Sequence, residues 1–294
     1  MIRRVLRAPS RVVRALAKRA RIAGLWVSAV LGTSRVVGDV PVVVSMTTYG
    51  HRVPAAGIAL ESIARGRRRP ERLVLWMAPA DLARPLPLAL RALRRRGLEI
   101  IACEDYRSHK KYYPAAMEHD EILRPLATAD DDALYPADWL DGLWRAHTAH
   151  PQNVVGYRSK VIGFDAEGKV RPYAEWRMNE SDGPSCRVFM TGISGVLYPV
   201  AVLEEARRHG TAFMELCPFA DDLWLHRSAI RAGCPPRQVS RRARDFPGIP
   251  GTQRTALMRL NVDRNANDTQ LAQTYTEEDL AAIRASEPPQ SAPA

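Results

Sequence analysis

Three continuous apolar runs, each followed by a helical pattern or a polar turn, constrain this chain more than any other feature. Val40-Pro41-Val42-Val43-Val44-Ser45-Met46, Leu73-Val74-Leu75-Trp76-Met77 and Leu98-Glu99-Ile100-Ile101-Ala102 recur at short intervals. Runs without polar alternation suit strands buried on both faces, as in parallel sheets. Between the first two, Pro54 opens a helical pattern with Ala55, Ile58, Ala59, Ser62 and Ile63 on one face and Gly66 as its stop. Between the second and third, Leu86, Leu90 and Leu93 form a stripe closed by Gly97. Strand–helix alternation with short links predicts an α/β fold with a mostly parallel central sheet. A fourth strand is expected at Leu126 to Ala129, and the periodic residues Trp139, Leu140, Leu143 and Trp144 predict a helix after it.

Ligands bind such sheets at the carboxyl ends of the strands. Thr47, Thr48, Glu104 and Asp105 fall there, and the fourth strand delivers Asp130-Asp131-Asp132 to the same edge. Two carboxylates about 6 Å apart repel by about 3 kcal/mol at an effective dielectric near 20. Two readings fit the triplet. One is a solvated acidic turn capping the next helix. The other is a hard-cation site for Mg²⁺ or Mn²⁺, which share their shell with substrate phosphates. Lys110 and Lys111 follow the third strand as solvated loop residues or as partners of a diphosphate. Ala220-Asp221-Asp222-Leu223 is a second acidic pair at a helix start, where capping is the plain alternative.

The remaining half is less regular. Val154 to Val161 alternates like one half-buried strand, and residues 163–187 form a long loop containing Tyr173 and Trp176. Thr191-Gly192-Ile193-Ser194-Gly195 approaches another strand, followed by a helix through Arg208. Asn261 to Tyr275 closes the body, and residues 284–294 read as a disordered tail by composition.

The net charge of +11 raises the question of nucleic acid, and its location answers it. Residues 1–40 contain nine Lys or Arg against Asp39 alone, a balance of +8 that leaves +3 for the rest. No nucleic-acid-binding motif accompanies that charge, so no nucleic-acid partner is expected. Residues 1–24 instead read as a basic amphipathic helix, with Arg4, Arg7, Arg11, Arg14, Lys18 and Arg21 on one side. Such a helix suits an anionic membrane surface, although a signal peptide and a helix packed on the body are alternatives. Ile22 to Leu31 is about half a span, short of the ~20 apolar residues a membrane crossing needs. Cys103, Cys186, Cys217 and Cys234 show no metal or redox spacing and fit a reduced, cytoplasmic compartment. Three segments are expected: the N-terminal helix over 1–35, one catalytic domain over 36–275, and a helix end with a tail over 276–294.

Several of these stretches together resemble bacterial glycosyltransferases of the GT-A fold, the family-2-like group of cell-surface polysaccharide synthesis. They are Ser45-Met46-Thr47-Thr48-Tyr49, Leu75-Trp76 with Gly97-Leu98-Glu99-Ile100, Asp130-Asp131-Asp132 before Tyr135-Pro136, Gly192 to Pro199, and Ala220 to Trp224. The resemblance covers residues 40–275. It implies a nucleotide-sugar donor, UDP being the expected nucleotide, with Mn²⁺ or Mg²⁺ held by Asp130 and Asp132 of an Asp-x-Asp motif. Asp131 is a third metal candidate. On the same resemblance, Thr47, Thr48, Arg52, Asp105, Lys111 and Asp130 would bind the nucleotide-sugar. Asp222 would be the general base and Asp221 its neighbour in the pair. The acceptor would be a glycan or a lipid-linked sugar at the inner face of the cell membrane. The Gln/Arg-x-x-Arg-Trp motif of processive synthases is missing and no spanning helix is read, so single additions are expected, and Asp222 as a base facing the donor implies inversion. Two other functions compete: a sugar nucleotidyltransferase, for which residues 47–52 lack a Gly-rich phosphate loop, and a catalytically silent adaptor.

Overall fold

The computed structural model describes residues 11–119, 121–252 and 266–290. Helix α1 (Arg11–Leu31) comes first, then β1 (Val40–Thr47), α2 (Val53–Ala64), β2 (Pro70–Met77), the single-turn α3 (Pro79–Leu82), α4 (Leu88–Arg95) and β3 (Leu98–Ala102). α5 (Tyr113–Met117), β4 (Leu126–Ala129) and α6 (Trp139–Ala149) complete the first half. The second half holds β5 (Val155–Gly156), β6 (Ser159–Val161), β7 (Arg177–Met178), β8 (Val188–Met190), β9 (Val196–Tyr198), α7 (Val200–Arg208), α8 (Phe213–Leu216), α9 (Asp221–Arg231) and β10 (Arg237–Gln238). Two helices, Ala266–Thr274 and Glu277–Ala285, follow.

Seven strands form a mixed sheet in the order β10-β5-β9-β4-β1-β2-β3. β1 is parallel to β2 and β4, and β2 to β3, as the apolar runs predict. β9 runs antiparallel to both β4 and β5. The pleat sorts the apolar residues between two cores. Val42, Val44 and Met46 of β1 and Leu73, Leu75 and Met77 of β2 face the layer built by α1, α2 and α4. Val43, Val74 and Trp76 face Tyr112, Tyr113, Phe213 and Trp224 on the other side. Each fully buried side chain of this size stabilises the fold by about 1.5–3 kcal/mol, so both faces are firmly specified. Pro41 is tolerated in β1 because the register with β2 shifts between Val40 and Val43, where ladder hydrogen bonding is interrupted.

Three differences from the expected organisation stand out, together with one expected segment that is described only in part. First, α1 does not end near residue 24 but continues through the apolar run to Leu31. Leu25 and Ala29 belong to the core, so this helix packs on the body, while residues 1–10 of the expected helix lie outside the described residues. Second, Val154–Val161 is not one strand: Val155–Gly156 pairs with β9, whereas Ser159–Val161 pairs with β7 and β8 in a separate three-stranded sheet. Tyr157 anchors the bend by donating to Trp139 O at 2.6 Å. Third, of the closing segment expected over 261–275, helix Ala266–Thr274 is present and residues 261–265 lie outside the described residues. Fourth, residues 286–290, expected to be disordered, follow the body. Ser286 Oγ accepts from Cys186 N at 3.1 Å, and Ser185 Oγ donates to Glu287 O at 2.5 Å. Among the described residues, no helix is long and apolar enough to cross a membrane.

α1 is fixed by a polar anchor inside the layer. Glu61 of α2 is fully buried and accepts from Ser28 Oγ at 2.5 Å and from Arg96 Nη1 at 2.8 Å. Removing one member of a buried ion pair leaves the other charge uncompensated at a cost of about 3–5 kcal/mol. Glu61→Ala should lower unfolding stability by that order in urea titration, and Glu61→Met combined with Arg96→Met should recover most of the loss. Equal losses in the single and double variants would mean that the pair is not what holds α1.

Candidate active site

The sheet register brings the first site residues together. Met46 pairs with Ala129 and both strands run the same way, so two residues further on Thr48 comes beside Asp131. Thr48 Oγ1 donates to Asp131 Oδ2 at 2.7 Å, with both residues buried. The 3₁₀ turn Gly50–Arg52 then carries Arg52 back over the acidic triplet. Its Nη2 lies 2.8 Å from Asp131 Oδ1 and 2.5 Å from Asp132 Oδ2, while its Nε is buried with no hydrogen-bond partner.

The third acid turns the other way. Asp130 Oδ1 accepts from Lys111 Nζ at 2.5 Å, and the same ammonium lies 3.8 Å from Asp221 Oδ2 at the start of α9. Lys111 is therefore the bridge between the two acidic clusters read from the sequence. Asp222 adds its charge to the same ammonium, and its carboxylate accepts backbone N–H bonds from Leu223 and Gly192. Ala220 occupies the cap position of α9 and makes no side-chain cap. Asp222 is thus a first-turn residue that accepts from the helix's own N–H at Leu223 and also lies close enough to Lys111 to act on its charge.

Charge explains the titration of the cluster. Among the described residues, Asp130, Asp131, Asp132, Asp221 and Asp222 gather around Arg52 and Lys111. Burial pushes the Asp131 carboxyl up to about 6 even though Arg52 and Thr48 oppose it. Burial and the neighbouring Asp130 raise Asp132 as well. Burial, with Asp221 alongside, pushes Asp222 up to about 7 against the pull of Lys111. Burial also works against the Lys111 ammonium, but Asp130 and Asp221 overcome it and hold its pKa above the ordinary lysine value.

The other expected residues take different places. Thr47 sits at the sheet edge, where its hydroxyl donates to Trp76 O at 3.1 Å. Asp105, largely exposed, pairs with Lys110 at 2.5 Å in the loop after β3, so the two adjacent lysines serve different acids. Arg52, expected on the nucleotide, is engaged with Asp131 and Asp132. Asp131, expected as a third metal candidate, has one oxygen on Arg52 and the other on Thr48, which makes it a support for the turn. Among the described residues, no group of three or more His, Cys, Asp or Glu side chains converges as a ready-made metal cage. Asp130 and Asp132 remain a two-carboxylate set, and Mg²⁺-type sites use one or two carboxylates completed by substrate phosphates. The hard oxygen donors fit such an ion.

Three supporting residues were not assigned roles by the sequence reading. Tyr135 clasps the triplet: its hydroxyl accepts from Asp130 N at 2.6 Å and donates to Asp130 O at 3.2 Å. His109 stacks on Phe213 at 4.1 Å between ring centroids, and its Nε2 meets Cys217 O at 2.8 Å beneath the Lys111 turn. Burial lowers its pKa to about 4, so it is a neutral strut. Ser194 has φ of 73° and presents its carbonyl to Trp139 Nε1 at 2.9 Å, which fixes the Gly192–Gly195 loop against Asp222. The tyrosine five residues after Asp130 was visible in the sequence, but the hydroxyl's return to the turn depends on a backbone reversal that spacing does not reveal.

No protein-family model matches the chain, and no curated protein sequence matches it. Solved structures do. A mannosyltransferase from Pyrobaculum calidifontis, in complex with GDP-Man and Mn²⁺, is 15% identical over 89% of this chain and 73% of its own, with a TM-score of 0.48. S. aureus TarS 1–349, in complex with UDP, is 14% identical over 83% of this chain and 69% of its own, with a TM-score of 0.49. CMP:2-keto-3-deoxy-manno-octonic acid synthetase, complexed with CTP, is 10% identical over 78% and 100%, with a TM-score of 0.43. All three scores fall below 0.5, so the functional reading rests on the side chains of the cleft.

The Thr48–Asp131 contact generates a direct test of the turn. Thr48→Val keeps the shape but leaves a buried carboxylate oxygen without its donor, which costs about 1–3 kcal/mol. Chemical denaturation should register a loss in that range, and an unchanged midpoint would show that Arg52 alone supports Asp131.

Proposed function

We propose that the protein is a metal-dependent glycosyltransferase of GT-A type. It moves a sugar from a nucleotide-diphosphate donor to a hydroxyl of a glycan or lipid-linked acceptor, by single additions and with inversion. The observation that carries this reading is Lys111 Nζ at 2.5 Å from Asp130 and 3.8 Å from Asp221. One cation joins the acids at the end of β4 to the acids at the start of α9, so a diphosphate seat and a base share one cleft.

Asp130 and Asp132 are the residues that would hold the divalent ion, which when bound neutralises charge on the departing diphosphate. Thr48, Arg52 and Asp131 keep the turn that carries those two acids in shape. Lys111 adds a positive charge at the donor side, and Thr47 and Asp105 border the strand ends where the nucleotide would lie. Asp222 accepts the proton of the attacking hydroxyl as the new bond to the anomeric carbon forms and the bond to the diphosphate oxygen breaks. A positioned base of this kind contributes about 10²–10⁴-fold. Asp221 stays paired with Lys111 and raises the proton affinity of its neighbour. Of the expected nucleotides, UDP is the first to try. Basic α1 is the element that would bring the enzyme to an anionic membrane surface.

Thermal shift with UDP, GDP and CMP, each with and without Mn²⁺, tests the donor half: one nucleotide should stabilise the protein only with the metal, and Asp132→Asn should abolish that response while folding normally. Indifference to every nucleotide would sink the transferase reading.

The base has its own test. Asp222→Asn should keep metal-dependent nucleotide binding and lose transfer by about a hundredfold or more. Only the ionised carboxylate takes a proton, so kcat/KM should rise with pH to a plateau above about 7 and fall about tenfold per unit below it. A flat profile between pH 5 and 8 would exclude Asp222 as the base.

A further inference from the structure

α1 has two apolar faces. One is buried through Leu25 and Ala29 and tied down by Ser28 and Glu61. On the other, Leu16, Ala20, Ala23, Val27 and Leu31 follow each other at helical spacing and are all exposed, Leu16 at 58% and Leu31 at 73%. A helix already packed on its body has no structural need for the second stripe. Alongside it runs a groove of about 700 Å³, within the size range of ligand pockets, about 300–1,000 Å³. Its walls include Ile22, Trp26 and Val27 from α1, Pro54 and Ile58 from α2, and Ile249. Trp26 and Val27 are 46% and 47% exposed at its rim.

Two further observations say what chemistry belongs in it. The first is charge. Arg19 lines the groove, Arg14 is exposed on the same helix, and residues 11–38 contain no acid, so an apolar ligand with an anionic head is favoured over a neutral one. The second is continuity with the acidic cleft. Ile249 N donates to Asp132 O at 2.6 Å, Leu134 N donates to Pro247 O at 2.9 Å, and Ala133 bridges Gly248. His51, another wall residue, adjoins Arg52, which holds Asp131 and Asp132. Groove and cleft therefore share the 247–249 segment and the Gly50–Arg52 turn.

We propose that this groove seats the hydrocarbon chain of a phosphate-linked lipid acceptor, with Arg19 toward the phosphate and the exposed stripe of α1 against the membrane that supplies it. The proposal deepens the transferase reading and rests on it for the word acceptor. An apolar chain held here lets its polar head extend along the shared wall toward the acidic triplet, and water-soluble glycans gain nothing from it.

The test reads binding rather than turnover. Dodecyl phosphate, added below its micelle concentration, should change tryptophan emission saturably. Trp26→Phe should remove most of that signal, and Val27→Glu, at an exposed position, should weaken binding at least tenfold without altering the metal-dependent nucleotide response. Inorganic phosphate and dodecyl maltoside should bind at least tenfold more weakly, since each lacks one half of the ligand. In turnover, Val27→Glu should raise KM for a lipid-linked acceptor and leave kcat unchanged. Equal binding by wild type and Val27→Glu, or a signal that survives Trp26→Phe, overturns the groove. Failure to bind dodecyl phosphate beside an intact nucleotide response also overturns it and leaves the transferase standing. Dodecyl phosphate binding without any nucleotide response supports the seat and overturns the transferase.

Discussion

Electrostatic repulsion at the carboxyl ends of β1 and β4 is the constraint around which the rest of the site is arranged. Three consecutive aspartates leave β4, and α9 adds two more from the opposite side. At separations of a few ångströms, each unscreened pair costs several kcal/mol at an effective dielectric near 20. Two cations among the described residues answer this repulsion, each placed between acids. Arg52 spans Asp131 and Asp132, and Lys111 spans Asp130 and Asp221. The division has a structural consequence. Arg52 belongs to the loop after β1 and locks the triplet to its neighbouring strand, while Lys111 belongs to the turn after β3 and locks the triplet to α9.

Holding α9 against that repulsion requires an anchor at its far end. Asp279 is almost fully buried and binds Arg231 Nε at 2.7 Å and Arg227 Nε at 3.4 Å. Burial works to raise its carboxyl, but Arg231 and the hydrogen bonds from Thr276 hold it below the usual range. The same acid closes a capping box with Thr276, so one side chain both starts the last helix and fixes α9. His226 Nδ1 meets Tyr275 OH at 2.6 Å, and Gln270 Oε1 accepts from Phe219 N at 2.9 Å just ahead of Asp221. The C-terminal helices thus act on the cleft without entering it. They set the axis of the helix from which Asp222 projects.

The sequence was informative wherever one strand or helix decided the outcome alone. β1 and β2 are buried on both faces over most of their length, so their side chains had to be apolar, and the run lengths showed where each strand delivers its last residue. β3, read in the same way, is the edge strand of the sheet and only Leu98 of it is buried. The acidic residues at those ends were visible for the same reason. What escaped was set by contacts between distant residues. Val154 to Val161 alternates cleanly, yet the chain bends at Tyr157 because one half matches β9 and the other β8. Residues 286–290 have the composition of a tail, yet they are held by Ser185 and Cys186, a hundred residues earlier. The division of Lys110 and Lys111 between Asp105 and Asp130 was equally hidden, since adjacent residues of a 3₁₀ turn point in different directions.

α1 couples these elements to the outside of the molecule. It lies on α2 and α4, and Arg21 donates to Tyr135 O at 2.8 Å. Tyr135 in turn clasps both backbone groups of Asp130. A path of two residues therefore runs from the N-terminal helix to the acidic triplet, while Ser28 and Arg96 meet on Glu61 one layer below. A surface-binding helix on a flexible tether would tell the cleft nothing about its surroundings. This one is continuous with the core through Leu25, Ala29 and the Ser28–Glu61 bond, and its Arg21 reaches the residue that clasps the turn carrying Asp130 to Asp132. The apolar groove lies along that same line, between the helix and the strand end. The physical logic of the chain is a rigid connection from a cationic, apolar outer face to an anionic cleft.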